Sequence, residues 1–396
     1  MKTKLTTLLM IVALALSCGD GGRVDVPQAA VIGSREGDLV TVNIREVSDT
    51  VDMPLSAWVE DLEIVQLDGS SDDAFTNGYK ICLSDNYILI FGNITNATKL
   101  YERKTGKFVG NIGNVGRGPG EYFAIYSAQI DEPNGLIYSQ PWQMREILVH
   151  NLRGEFTGRI PLANVAEKGN IRVDVPNRVI TVSVIPFKGG SNSAVWVQDF
   201  EGNVIDSVAA GRFAVNPDYS NEVDYNGNTD AFDFSLLRWS NQPDTLYHYE
   251  NKVLKPVFTV TIDGLEPSKG YADAVTRTYN ELPGYFLGGV GQNRKVEKRG
   301  NSESTTVIPV WMYVDKKELR GAWFRLRNDF VGGRVEYPTF TGGYFVSNVS
   351  DPFKFVEQLE AARGKASAAV RERIDGLLKS IDPEGNNVLM LGRVKQ

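Results

Sequence analysis

A chain of 396 residues with 42% hydrophobic content is long enough for one large folded domain or two ordinary ones, which excludes disorder as its default state. Its 49 acids exceed its 42 bases, giving a formal charge of −7. An acidic surface repels phosphate backbones, so nucleic acid is not an expected partner.

Residues 1–17 read as a secretion signal. Lys2 and Lys4 precede an apolar run, Leu5 to Leu16, that falls well short of the roughly 20 residues a bilayer span needs. The stretch LALSC resembles a bacterial lipoprotein box, which makes Cys18 the expected lipid attachment; the alternative is an ordinary signal peptide with an incidental cysteine. More than one acyl chain on that residue would anchor the protein stably. A membrane is thus an expected partner, and the cell envelope, at the outer membrane, is the expected location. Loss of the signal removes two lysines and takes the formal charge from −7 to −9. With Cys18 carrying lipid, Cys82 has no cysteine to pair with, and packing must supply the stability. Residues 18–37 are aperiodic and glycine-rich, as suits a tether.

From residue 38 to 350 short β-rich runs (LEIVQL, YILIF, RVITVSVI) alternate with turn clusters of Gly, Asn and Asp, which marks the region as all-β. The runs also repeat. LYERKTGKFVGNIG, LVHNLRGEFTGRIP and VWVQDFEGNVIDSV place turn glycines at Gly106, Gly154 and Gly202, 48 residues apart twice over. A fourth copy, LYHYENKVLKPVFTV, turns at Asn251 and Lys252, and WFRLRNDFVGGRVEY (323–337) reads as a fifth. Repeats of about 40 to 50 residues with several strands each predict a β-propeller, here with six blades.

Residues 264–305 interrupt the pattern with a helix-like SKGYADAVTRTYNEL and a charged QNRKVEKRGNSES, and are expected as an insertion between blades four and five. Ring closure is expected from LEIVQL (62–67) and YFVSNV (344–349) in one blade. The tail, 351–396, shows helical spacing at Phe355, Val356 and Leu359 and again at Ile374, Leu377 and Leu378, predicting two helices broken near Gly364. A final strand, NNVLMLGRV, should pack on the propeller.

The glycine run NIGNVGRGPGEY (111–122) lacks every requirement of a phosphate loop: it carries no Lys followed by Ser or Thr and opens no helix. Pro119 and Gly120 instead suit the central pair of a type II turn, so a structural corner is expected, with Arg117 and Glu121 as ligand-contact candidates. GRGPGEY after a K-T-G-K-F turn resembles the signature of a six-bladed β-propeller family of uncharacterised lipoproteins from gut Gram-negative anaerobes. The resemblance extends through LEIVQLD, DTLYHYENKVLKPVF and NNVLMLGRVK. It implies an exported, membrane-anchored propeller with a C-terminal helical appendage and names no chemistry.

Catalytic and metal motifs are sparse. His150 and His248, the two histidines, fall at equivalent places in different blades, too far apart to share a metal. Asp224, Asn226, Asn228 and Asp230 alternate like calcium-loop ligands, but Thr229 and Ser235 stand where such a loop wants Gly and Glu. No serine sits in a nucleophile elbow, and no cofactor is expected. Trp142 with Arg145, and Trp239 with Arg238, lie in polar loops where an aromatic beside a planar polar group suits a sugar or a peptide; loop packing is the competing reading. The expected role is a binding or assembly module for a glycan, peptide or protein. The alternative is a carbohydrate-active hydrolase or lyase, which would need a carboxylate pair about 5 to 9 Å apart at the channel mouth, flanked by Arg and an aromatic.

Overall fold

The structure, a computed structural model, describes residues 26–27, 29–92, 94–216, 222–236, 244–264, 275–299 and 302–396. Among the described residues four strands come first: β1 (Gly33–Glu36), β2 (Leu39–Asn43), β3 (Thr50–Pro54) and β4 (Val59–Gln66). Three regular blades follow, each an antiparallel sheet of four strands in sequence order. They comprise β5 (Lys80–Leu83), β6 (Tyr87–Phe91), β7 (Thr98–Glu102) and β8 (Phe108–Ile112); β9 (Ile125–Asp131), β10 (Leu136–Pro141), β11 (Glu146–Asn151) and β12 (Phe156–Pro161); and β13 (Asn170–Asp174), β14 (Val179–Ser183), β15 (Ser193–Asp199) and β16 (Val204–Ala209).

The 48-residue interval has a physical cause. Gly106, Gly154 and Gly202 turn the hairpin between the third and fourth strands of their blades, at φ of +70°, +84° and +89°. Each corner also abuts the outer strand of the preceding blade. A Cβ on Gly106 would lie 2.1 Å from the Gln66 carbonyl oxygen, one on Gly154 would lie 1.9 Å from that of Asn111, and Gly202 sits against Pro161. Only glycine supplies both the left-handed turn and the close approach. The repeat therefore records contact between neighbours in a ring.

Blade four comprises β17 (Asp224–Tyr225), β18 (Phe232–Ser235), β19 (Thr245–Glu250) and β20 (Val253–Thr261), and Asn251 and Lys252 turn its outer hairpin at positive φ as expected. Blade five departs from expectation. The described part of 264–305 is not an insertion between blades: β21 (Thr276–Glu281), β22 (Tyr285–Arg299), β23 (Ser302–Asp315) and β24 (Gly321–Asn328) build this blade, and TRTYNE, the described end of the expected helix, is its inner strand; residues 265–274 lie outside the described residues. β22 and β23 pair from Tyr285↔Asp315 out to Arg299↔Ser302, well past the Thr276↔Gly291 pair that ends the contact with β21. The irregular spacing thus reflects one lengthened hairpin. The expected fifth hairpin, 323–337, is likewise β24 running into a short β25 (Arg334–Glu336), while the true third-to-fourth corner lies at Lys316–Arg320 with Leu319 at φ +58°.

Blade six closes the ring. β26 (Phe340–Thr341) and β27 (Tyr344–Val349) lead into helices α1 (Pro352–Arg363) and α2 (Ala368–Ser380), and the chain returns as β28 (Val388–Val394). The sheet order is β26, β27, β28, β4, so the two expected clasp segments share a blade with the final strand between them, inside the sheet rather than on its surface. The N-terminal strands also strap two blades, with β2 parallel to β20 and β3 parallel to β24. Six hydrophobic clusters fill the six seams between blades, which is why central strands such as YILIF are apolar on both faces; each buried Leu, Ile or Phe there contributes roughly 1.5 to 3 kcal/mol. Asp351 and Ser367 cap the two helices, which pack on the seam between blades five and six.

Candidate functional site

The inner strands β5, β9, β13, β17, β21 and β26 surround the ring axis, and between them lies a cavity of about 710 Å³. Its open end is the one at which the inner strands begin. Tyr79, immediately before β5, is 67% exposed, and Tyr337, three residues before β26, is 53% exposed; both line the cavity. The β22–β23 ribbon extends past the same end. A volume of this size, with aromatic and polar lining, falls within the range of small-molecule pockets.

Below the rim, polar groups are held in place by blade-to-blade bonds. Glu222 accepts from Lys168 Nζ at 2.6 Å through Oε1 and from the Tyr126 hydroxyl through Oε2. Lys80 Nζ donates to the Tyr126 carbonyl oxygen at 2.6 Å and lies 4.1 Å above that ring. The buried Lys168 offsets the Glu222 charge from behind. Ser127 and Gln129 on β9 receive the backbone N–H groups of Ile171 and Val173 on β13, and Asn170 donates to the Val223 carbonyl at 3.0 Å. Blades two, three and four are thereby joined at the cavity wall.

On the opposite wall, an amide network joins blades four, five and six. Asn228 Nδ2 donates to Asn280 Oδ1 at 2.8 Å and to the Phe340 carbonyl at 3.1 Å, while Asn280 Nδ2 donates to Asn226 Oδ1 at 3.0 Å. Asn226 Nδ2 and the Gly227 N–H both donate to the Asp233 carboxylate at 3.0 Å. Burial, with a smaller contribution from the Glu281 charge, still pushes Asp233 up to about 6 against those two bonds. In the adjoining blade five, burial opposes ionisation of Glu281, but His248 Nε2 and Lys316 Nζ, each at 2.5 Å, outweigh it and hold that carboxyl below the usual range.

The residues singled out from sequence are distributed differently. Cys18, Arg238 and Trp239 lie outside the described residues. The GRGPGEY stretch is the expected corner: the Glu121 N–H donates to the Gly118 carbonyl at 3.0 Å around Pro119 and Gly120, the latter at φ +76°. The Glu121 side chain accepts from the Gly118 N–H at 2.6 Å, and Arg117 is exposed. Trp142 is half-buried with its ring 5.9 Å from that of Phe123, and Arg145 donates to the Ala163 carbonyl at 2.7 Å. None of Arg117, Glu121, Trp142 and Arg145 lines the cavity. The calcium-like alternation also resolves otherwise. Asn226 and Asn228 direct their oxygens at Asn280 Nδ2 and the Gly343 N–H, both at 3.0 Å, which leaves them engaged as structural bridges; Asp224 lines the cavity, and Asp230 is exposed. Cys82 lines the cavity as well, and burial pushes its thiol up to about 11, a poor nucleophile or ligand. His150 and His248 occupy the third strands of blades two and four, as expected.

Sequence reasoning missed Tyr79, Lys80, Tyr126, Glu222, Trp311 and Tyr337. Most stand at or just before the head of an inner strand, a position that the repeat specifies once the turn glycines have been assigned to the outer hairpins.

The family model described as a domain of unknown function, DUF4934, matches residues 39–393. Among solved structures, a Bacteroides fragilis NCTC 9343 protein provisionally named as exported aligns over 90% of this chain and 100% of its own, at 14% identity and a TM-score of 0.57. A DUF4221 member from Bacteroides vulgatus ATCC 8482 aligns over 85% and 97%, at 10% identity and a TM-score of 0.44. The periplasmic gluconolactonase of Pseudomonas aeruginosa aligns over 69% and 76%, at 9% identity and a TM-score of 0.39. No curated protein matches the sequence.

Proposed function

The chain belongs to the family described as a domain of unknown function, DUF4934, and from that premise we propose that it is an exported binding module whose ligand enters the axial cavity, held at the outer membrane by a lipid on Cys18. The observation that carries this reading is the cavity itself. It combines two exposed tyrosines at an open mouth with a wall of fixed polar groups, and six sheets hold that wall rigid.

The route of the N-terminal segment supports the arrangement. Pro27, Ala29 and Ala30 are bound by Tyr313, Arg320 and Gly321, at the end of blade five opposite the β22–β23 ribbon. Cys18 precedes Val26 by eight residues, a reach of at most about 28 Å. An anchor there would keep that end toward the membrane and turn the mouth away from it. The hydrolase or lyase reading has less behind it. The acids among the lining residues are Glu222 and Asp224, both Glu222 oxygens are already bonded, and no arginine lines the cavity among the described residues.

The test is a combined glycan and peptide array probed with the purified chain and with the Tyr79→Ala/Tyr337→Ala double variant. Retention of specific signal that the double variant loses is expected. Signal unchanged in the double variant would move the binding surface away from the cavity. Replacing Cys18 by Ala should shift the protein from the membrane to the soluble fraction.

A further inference from the structure

Resting on the membrane-anchored reading above, we propose that a second, smaller pocket, at the tethered end of blades four and five, takes the headgroup of a phosphatidylethanolamine from the bilayer. Arg35 and Lys255 would hold its phosphate and Asp38 its ammonium.

The pocket has a volume of about 290 Å³ and lies between the β1–β2 hairpin, the β19–β20 hairpin and Lys316. Lys316 opens the corner whose Arg320 and Gly321 bind Ala29 and Ala30, so the pocket shares its end of the ring with the docked N-terminal segment. A lipid on Cys18 would therefore bring this face up to the bilayer. The volume is at the lower end for ligand pockets, which suits a headgroup and not an acyl chain.

The groups invoked are open to solvent. Arg35 and Asp38 are exposed, and neither has an ion-pair partner among the described residues. Arg35 Nη2 donates to the Lys316 carbonyl. Lys255, its side chain 44% exposed, bonds one Glu250 oxygen at 2.5 Å and keeps two further N–H groups. That Glu250 bond, and more weakly the Asp38 charge, raise Lys255 above its ordinary pKa, so Asp38 is within electrostatic reach of it. Glu281 behind them is closed, both oxygens being taken by His248 and Lys316. A guanidinium, an ammonium and a carboxylate are thus left to meet a ligand.

The guanidinium and the ammonium together suit a phosphodiester. Asp38 beside them repels a second anionic group but accepts from a primary ammonium, which a choline headgroup lacks. Apart from His248, the lining holds three bases and three acids, and this balance gives an anionic lipid no advantage.

The test uses the full chain with Cys18→Ala, which removes the lipid and leaves the pocket. It is sedimented at millimolar lipid with vesicles of phosphatidylcholine, alone or mixed equally with phosphatidylethanolamine or phosphatidylglycerol. Retention about threefold higher with phosphatidylethanolamine than with phosphatidylcholine alone is expected. Arg35→Ala and Asp38→Ala, at exposed positions, should each abolish the difference without moving the thermal midpoint. Glycerophosphoethanolamine should compete and glycerophosphocholine should not. A gain with phosphatidylglycerol only would overturn the zwitterion class. Equal retention on all vesicles, or a preference that survives both substitutions, would overturn the site. Calorimetric binding of glycerophosphoethanolamine without vesicle retention would overturn the bilayer as its source. Fractionation of the native chain tests the anchor separately, because native protein in the soluble fraction would refute the anchor whatever the vesicles show.

Discussion

His150 Nε2 lies 3.1 Å from the carbonyl oxygen of Gly120, and this contact fixes the corner between blades one and two. Burial holds His150 below its ordinary pKa, so the ring is neutral and Nε2 carries the donated proton. Gly120 stands at φ +76°, and a Cβ there would come within 2.6 Å of the Phe156 side chain, itself in edge contact with His150. Gly120→Ala combines a left-handed backbone with overpacking and should cost about 3 kcal/mol. Urea denaturation measures it; a loss below 1 kcal/mol would show that the corner can relax.

The buried carboxyl of Asp233 predicts an unusual pH response. Its pKa is pushed up to about 6 in the folded state, against about 3.9 when unfolded. The fold therefore binds this proton more tightly, gains stability from it below about pH 4, and loses that gain as pH rises through about 6, in total about 3 kcal/mol. Glu281, held low by His248 and Lys316, and His150, held low by burial, act in the opposite sense and destabilise as pH falls. The difference between the native chain and Asp233→Asn isolates the first group: the variant should gain about 3 kcal/mol relative to the native chain between pH 4 and pH 7. A constant difference across that range would refute it.

The ring was legible in the sequence because Gly106, Gly154 and Gly202 are constrained twice, by turn geometry and by the preceding blade, and such double constraints leave a fixed interval. Blade five was not legible, since lengthening β22 and β23 stretched its spacing while the inner strand TRTYNE carries no turn signal of its own. The cavity was hidden for a different reason. Tyr79 and Tyr337 precede inner strands of different blades, Trp311 lies mid-strand, and only the circular arrangement brings them to one mouth. Local aromatic and polar clustering led instead to Trp142, whose neighbour turned out to be Phe123.

Asn228 bridges three blades, accepting from the Gly343 N–H and donating to Asn280 Oδ1 and the Phe340 carbonyl. Asn228→Ala strands those partners in a buried setting and should cost roughly 2 to 4 kcal/mol. The Gly343 N–H on Asn228 Oδ1 and the Asn280 amide on Asn226 Oδ1 occupy two of the oxygens that a calcium ion would need, so millimolar calcium should leave the thermal midpoint of the native chain unchanged. A calcium-dependent rise that Asn228→Ala abolishes would instead make this loop a metal site.

The last strand decides whether the ring holds. β28 pairs with β27 through Tyr344↔Arg393 to Val349↔Val388 and with β4 through Val59↔Val394 to Gln66↔Val388, so it is the only link in the described sheet between the C-terminal blade strands and the N-terminal one. Val388, Leu389, Met390 and Leu391 are fully or almost fully buried, and Met390 and Leu389 enter the seams on opposite sides of the blade. Ending the chain at Asn387 would leave β4 without a partner and open two hydrophobic seams at once, a loss larger than the roughly 5 to 15 kcal/mol that stabilises an ordinary domain. The truncated chain should show no cooperative unfolding transition by circular dichroism and be cleaved rapidly by trypsin. A truncation that still unfolded cooperatively near the native midpoint would mean that the ring is closed by the β2 and β3 straps instead.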